Sequence, residues 1–127
     1  MGQVMEAAAD LDKEVVILDR PNPLGGHRVE GPLVQDGFYS FVSQYNIPYV
    51  YGLTCGELAL LLNNEALLTD GKRCDLKVIK MEGWNRSMNY NETGLSWVPS
   101  SPHIPTWESA FYCAATGIIG EIDPNLI

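Results

Sequence analysis

The stretch Val15-Val16-Ile17-Leu18-Asp19-Arg20-Pro21-Asn22-Pro23-Leu24-Gly25-Gly26 constrains this chain most. A run of four apolar residues halts at a charged pair, then enters a turn built from two prolines and two glycines. Such a run reads as a buried strand. Proline cannot continue a ladder, so the strand ends near Asp19. A carboxylate, a guanidinium and a carboxamide therefore sit on a stiff loop at the carboxyl end of a core strand. In open α/β sheets that rim is where ligands bind.

Around this strand, helical and strand-like patterns alternate. Val4, Met5, Ala8 and Leu11 share one face of an expected first helix over Met1 to Leu11, with no convincing start signal, as if the chain opened inside or just before a helix of a longer protein. Phe38 to Gln44 reads as one or two helical turns, and Ile47 to Tyr51 as a second strand with Pro48 near its start. Thr54-Cys55-Gly56-Glu57 is a capping box that opens a helix reaching Asn64 or Leu67. Leu76 to Met81 is a third strand, Glu82 to Pro105 a long irregular segment, and Thr106 the start of a last helix. This order predicts an α/β fold: a mostly parallel sheet with helices on both faces, three-layered and Rossmann-like. Right-handed crossovers would then bring the loops after all three strands to one rim.

At 127 residues the chain suits one domain. Its net charge of −8, with scattered Lys and Arg, argues against nucleic acid as a partner. No apolar run approaches the roughly 20 residues of a membrane helix. No signal-peptide pattern is visible at the start. Cys55, Cys74 and Cys113 form no CxxC pair; Cys55 and Cys113 fall in helical patterns and read as small buried apolar groups. His27 and His103 are single histidines without spaced partners, so no metal is expected. GxGxxG, GxxxxGK and GxSxG are absent. Asn85-Arg86-Ser87 and Asn91-Glu92-Thr93 match glycosylation triplets of a kind that chance often produces.

The expected rim gathers Asp19, Arg20 and Asn22 after the first strand, Tyr51 to Thr54 after the second, and Glu82, Trp84 and Arg86 after the third. Trp84 can stack on a sugar ring or acyl group, and Arg20 or Arg86 can fork onto a carboxylate. Asp19 and Asn22 can fix hydroxyl or amide groups. Together these suit a polar, carboxylate-bearing ligand such as an acidic sugar. A plainer reading stands beside it: Asp19-Arg20 organises the turn, and Trp84 and Trp97 plug a small second core. Glycosidases generally use two carboxyl groups. The candidates are Asp19, Glu30, Glu82, Glu92 and Glu121, with Glu82 and Asp19 better placed than Glu108 or Glu121. Glu57 reads as a cap.

LDRPNPLGG, VEGP, IPYVYGLTCGELALLLN, DLKVIKMEGWNR and TGLSWVPSSPHIPT closely resemble the DUF1343 family, associated with NamZ-type exo-β-N-acetylmuramidases. The resemblance runs from about Met1 to Thr116 and implies residues 1–127 are the later part of a Rossmann-like domain, with the family's C-terminal domain absent. It implies hydrolysis of terminal N-acetylmuramic acid from peptidoglycan fragments, with no metal or organic cofactor, in the envelope, periplasm or outside the cell. The lactyl carboxylate of that sugar gives Arg20 or Arg86 a use. The chain departs from the family where Tyr51-Gly52 replaces a usual His-Gly pair, where an upstream Glu-His-Gly motif is missing, and where a glycine-rich acidic stretch shrinks to Gly120-Glu121-Ile122-Asp123.

The reading is therefore a fragment of a glycoside hydrolase, inactive alone. Asp19, Arg20, Asn22, Trp84 and Arg86 line its substrate cleft, and Glu82 is the best local candidate for a catalytic carboxylate. The alternative is a non-catalytic carbohydrate-binding or regulatory module. A third expectation is self-association through an exposed sheet edge.

Overall fold

In the computed structural model, α1 spans Gly2–Asp10, β1 Glu14–Leu18, α2 Cys55–Asn64, β2 Asp75–Ile79 and α3 Trp107–Ile122. The structure describes residues 1–122, with side chains through residue 117. Glu121 and the acidic stretch at residues 120–123 therefore lie outside the described side chains.

β1 and β2 pair in parallel, with Glu14 opposite Asp75 and Leu18 opposite Ile79. Parallel strands need a long crossover, and here it contains α2. Burial alternates strictly along both strands, as the two-residue side-chain period requires. Val15, Ile17 and Leu76 pack with Ala9 and Leu58 against a core of Met5, Ala59, Leu62, Leu68 and Cys74. This is an α/β fold with α1 and α2 contributing to one apolar layer. On the opposite face Val16, Leu18 and Ile79 are 50%, 62% and 44% exposed, so among the described residues helices cover one face of the sheet.

Ile47 to Tyr51 is not a strand. Only Val50 pairs, in an isolated antiparallel bridge to Glu30 with both N···O distances 2.9 Å. Pro48 has no N–H for a ladder, which explains why pairing does not extend in that direction. Phe38 to Gln44 forms bends instead of helical turns, because Ser40 and Ser43 exchange backbone hydrogen bonds at 3.2 Å and close a tight turn. Cys55 and Cys113 are exposed; the buried cysteine is Cys74. The buried stripe of α2 is Gly56, Ala59 and Leu62, and Cys55 falls one position off it.

The α2 termini follow their local chemistry. Thr54 Oγ1 accepts from the Glu57 amide at 3.2 Å and Glu57 Oε2 accepts from the Thr54 amide at 3.0 Å. At the other end the Leu67 amide reaches back to the Leu62 carbonyl at 2.9 Å, around Ala66 at φ 52°. That is a Schellman closure with a Cβ where glycine is preferred. Ala66→Gly is expected to raise stability by about 1 kcal/mol, read as a higher urea midpoint at constant m.

Glu6 on α1 gathers distant segments. Its Oε1 accepts from the Thr69 amide at 2.9 Å, the Thr69 hydroxyl at 2.8 Å and Tyr45 Oη at 3.3 Å. The Thr69 amide bond, joined by both hydroxyls, holds the Glu6 carboxyl below its ordinary value, while burial pushes Tyr45 up to about 12. A depressed folded-state pKa stabilises the fold above the unfolded value and stops doing so as pH falls through the folded one. Glu6→Gln should therefore be less stable than the parent at pH 6, with the gap closing as pH drops below 4.5. Denaturant melts at several pH values check this; a constant gap would refute it.

Candidate functional site

Asp19 ends β1 with 7% of its surface exposed. Its Oδ2 accepts from Thr54 Oγ1 at 2.8 Å, and Oδ1 accepts from the Gly56 amide at 2.8 Å and the Arg20 amide at 2.9 Å. The carboxylate thus satisfies one N–H and the N-cap hydroxyl at the start of α2, where the helix dipole also favours negative charge. The approach is so close that a Cβ on Gly56 would lie 2.8 Å from Asp19 Cγ and 2.6 Å from Val78 Cγ1. Glycine at 56 is what lets strand and helix meet here.

Asn22 and Arg86 are also engaged within the protein. Asn22 Nδ2 donates to the Leu53 carbonyl and its Oδ1 accepts from the Leu24 amide, both at 2.9 Å. Arg86 Nη1 donates to the carbonyls of Gly26 and Gly52 at 2.9 and 3.0 Å, and Nη2 pairs with Glu57 Oε1 at 2.5 Å. The Gly26 amide returns a bond to the Arg86 carbonyl at 3.2 Å. One guanidinium thus ties the loop after β1, the entrance to α2 and the loop after β2.

Those ties place Arg20, Glu82 and Trp84 around one cleft of about 240 Å³. Met81, Met88 and Leu95 form apolar parts of its lining. Arg20 is exposed; one guanidinium nitrogen donates to the Asp19 carbonyl at 3.1 Å. Among the described residues it pairs with no carboxylate. Trp84 Nε1 is buried with no hydrogen-bond partner. An orphan donor of this kind is rare and calls for an acceptor, because leaving it bare costs about 1–3 kcal/mol. The cleft lies below the roughly 300–1,000 Å³ of pockets that enclose drug-sized ligands, so it suits one ring or one acyl arm.

Among the described residues the remaining candidate carboxylates do not line this cleft. Glu30 is exposed, 4.0 Å from Arg28. Glu92 Oε2 accepts from the Asn89 amide at 2.6 Å, and Glu108 sits in the first turn of α3. Trp97 packs edge-on against Tyr90 at 5.0 Å and donates from Nε1 to the Ile104 carbonyl at 3.1 Å, with all three residues half-buried. His27 and His103 are exposed, and no metal-capable cluster occurs among the described residues.

A larger groove of about 610 Å³ runs between α1, α2 and residues 32–49, with Leu33, Phe38, Phe41, Tyr45 and Tyr49 among its walls. Among the described residues no Asp, Glu, Lys or Arg side chain lines it, so polar recognition favours the smaller cleft. Its signal in sequence was the apolar pairs Phe38-Tyr39 and Phe41-Val42, which a helical reading of that segment hid. Met88 and Leu95 were likewise invisible as cleft residues, because only the folded loop turns them toward Arg20.

The family described as exo-beta-N-acetylmuramidase NamZ, N-terminal, matches residues 1–108. The peptidoglycan beta-N-acetylmuramidase NamZ of Bacillus subtilis (strain 168) is 44% identical over 119 residues, covering 94% of this chain and 28% of that protein. A crystal structure of a DUF1343 family protein from Bacteroides fragilis superposes with TM-score 0.91 at 60% identity, over 95% of this chain and 31% of that one. A second from the same organism gives 0.80 at 36% identity, over 90% and 31%. The chain thus spans less than a third of the length of these relatives.

Proposed function

This chain belongs to the family of NamZ N-terminal domains, and from that premise we propose that it is the sugar-holding part of a glycoside hydrolase that releases terminal N-acetylmuramic acid from peptidoglycan fragments. The observation that supports this most is the cleft where Arg20, Glu82 and the unpartnered Trp84 indole meet. Cation, carboxylate, indole and apolar lining match an acidic, N-acylated sugar. Asp19, Asn22 and Arg86 serve that cleft from behind, by fixing the loops that carry it. Glu82 is the carboxylate we assign to the reacting end.

Cleavage of a glycosidic bond by two carboxyl groups needs a second one, and Glu82 is the one in this cleft among the described residues. The chain by itself therefore holds the sugar without hydrolysing it. A purely carbohydrate-binding role is the second reading, favoured by the same single carboxylate. Titration of the chain with N-acetylmuramic acid is expected to show saturable binding that weakens at least about tenfold in Trp84→Ala. No free muramic acid should appear from a disaccharide that carries it at the non-reducing end. Absence of saturable binding would defeat the proposal, and turnover by the chain alone would defeat the holding role.

Self-association is a further part of this reading. The sheet has two strands, so each has an outer edge free of strand pairing among the described residues, beside the exposed Val16, Leu18 and Ile79. Sedimentation that rises with concentration is expected; a monomer at all concentrations would count against it. No described helix is long and apolar enough to cross a membrane.

A further inference from the structure

We infer that the Arg20–Trp84 cleft reads the carboxylate-bearing acyl arm of its sugar, with Arg20 as the specificity-determining residue. The inference rests on the proposed muramic acid ligand and goes further, because it chooses between two arginines and assigns each part of the cleft a task.

Arg86 is the less suitable reader. Its Nη1 serves two backbone carbonyls and its Nη2 serves Glu57, so turning toward a ligand would break a three-loop tie. Arg20 makes one side-chain bond, from Nη1 to its neighbour's carbonyl. Its other nitrogens can fork onto a carboxylate without loss of any recorded protein contact. That one bond also limits the swing of the side chain, which lowers the ordering cost of binding.

Trp84 supplies a second donor. Its ring lines the cleft while its Nε1–H is buried and bare, so an indole that turns slightly toward the cleft on binding gains an acceptor in an oxygen of the same arm and sheds an unsatisfied group. Met81, Met88 and Leu95 offer apolar surface to a methyl group. Cation, neutral donor and apolar lining together fit a branched acid of lactyl type, which carries two carboxylate oxygens and a methyl. Glu82 shares the cleft and repels an anion, so the carboxylate is driven to the Arg20 side and Glu82 is left to accept from hydroxyl or amide N–H groups.

The test follows the Trp84 indole N–H signal of the full chain by nitrogen-proton NMR, assigned with Trp84→Phe. The probes are N-acetylmuramic acid, its methyl ester and N-acetylglucosamine. The acid should shift the Trp84 signal and bind about tenfold more tightly than the ester or N-acetylglucosamine. In Arg20→Gln that preference should fall below about twofold, with affinity for N-acetylglucosamine unchanged. In Glu82→Gln the acid should gain affinity and the ester should not. Arg20 is exposed, so its substitution leaves the fold in place, which the remaining amide spectrum verifies. If the acid binds and shifts Trp84 but Arg20→Gln keeps its preference over the ester, Arg20 is not the reader. If the acid binds while the Trp84 signal stays still, the cleft is the wrong place. Either result overturns this inference and leaves the muramic acid reading standing. No binding of the acid at all overturns that reading, and this inference with it.

Discussion

Asp19→Ala will destabilise this chain by about 3 kcal/mol, as much as truncating a buried core side chain. Three donors converge on that carboxylate, and two of them, the Thr54 hydroxyl and the Gly56 amide, lie where water cannot replace it. Each orphaned buried donor costs about 1–3 kcal/mol, and bonds to a charged acceptor stand at the upper end. The helix dipole at the start of α2 adds a few tenths. Asn at 19 keeps one oxygen for the Gly56 and Arg20 amides but turns an NH2 toward Thr54, whose hydroxyl can rotate to accept. Asp19→Asn should therefore lose about half as much. Urea melts of both variants, with m unchanged, are the measurement. An alanine variant within about 1 kcal/mol of the parent would show that the anchor is redundant.

Arg86→Ala should cost about 2 kcal/mol and, unlike Asp19→Ala, should loosen the cleft before it unfolds the chain. The ion pair with Glu57 contributes little of this, since the two side chains are 40% and 31% exposed. The two carbonyl bonds carry more, because Gly26 and Gly52 are buried and no other donor reaches their oxygens among the described hydrogen bonds. A Cβ on Gly26 would meet Arg86 Cβ at 2.9 Å, so the backbone is shaped around this side chain. Lysine keeps the charge but lacks the fork, and Arg86→Lys should recover less than half of the loss. Amide hydrogen exchange across residues 24–28 and 82–88 should rise in both variants while α1 stays protected. Equal exchange everywhere would mean the three loops hold their places without the tie.

Much of this geometry was legible from local chemistry. Thr54-Cys55-Gly56-Glu57 names the start of α2, and the bonds are those the capping box requires. The halt at Asp19 marks the end of β1 to the residue. Family membership was legible in motifs such as LDRPNPLGG and stands in the match over residues 1–108. Arg20, Glu82 and Trp84 share a cleft because two loops follow two parallel strands, which strand order alone foretells. What stayed hidden depends on partners far along the chain. Nothing near Arg86 says that its guanidinium answers the carbonyls of residues 26 and 52. Ile47 to Tyr51 has strand composition, yet a strand needs a neighbour, and Val50 finds one residue to pair with. Cys55 lay in an apolar helical pattern whose true buried stripe begins one residue later.

The single guanidinium that joins three loops also sets a rule for anyone transplanting this cleft to another scaffold. Arg20, Glu82 and Trp84 are the visible cargo, but their spacing is held by Gly26, Gly52, Glu57 and Arg86, none of which borders the cleft. A graft that moves the first set without the second inherits the side chains and loses the distances between them. The smallest portable unit is therefore all three junctions together, moved as one piece.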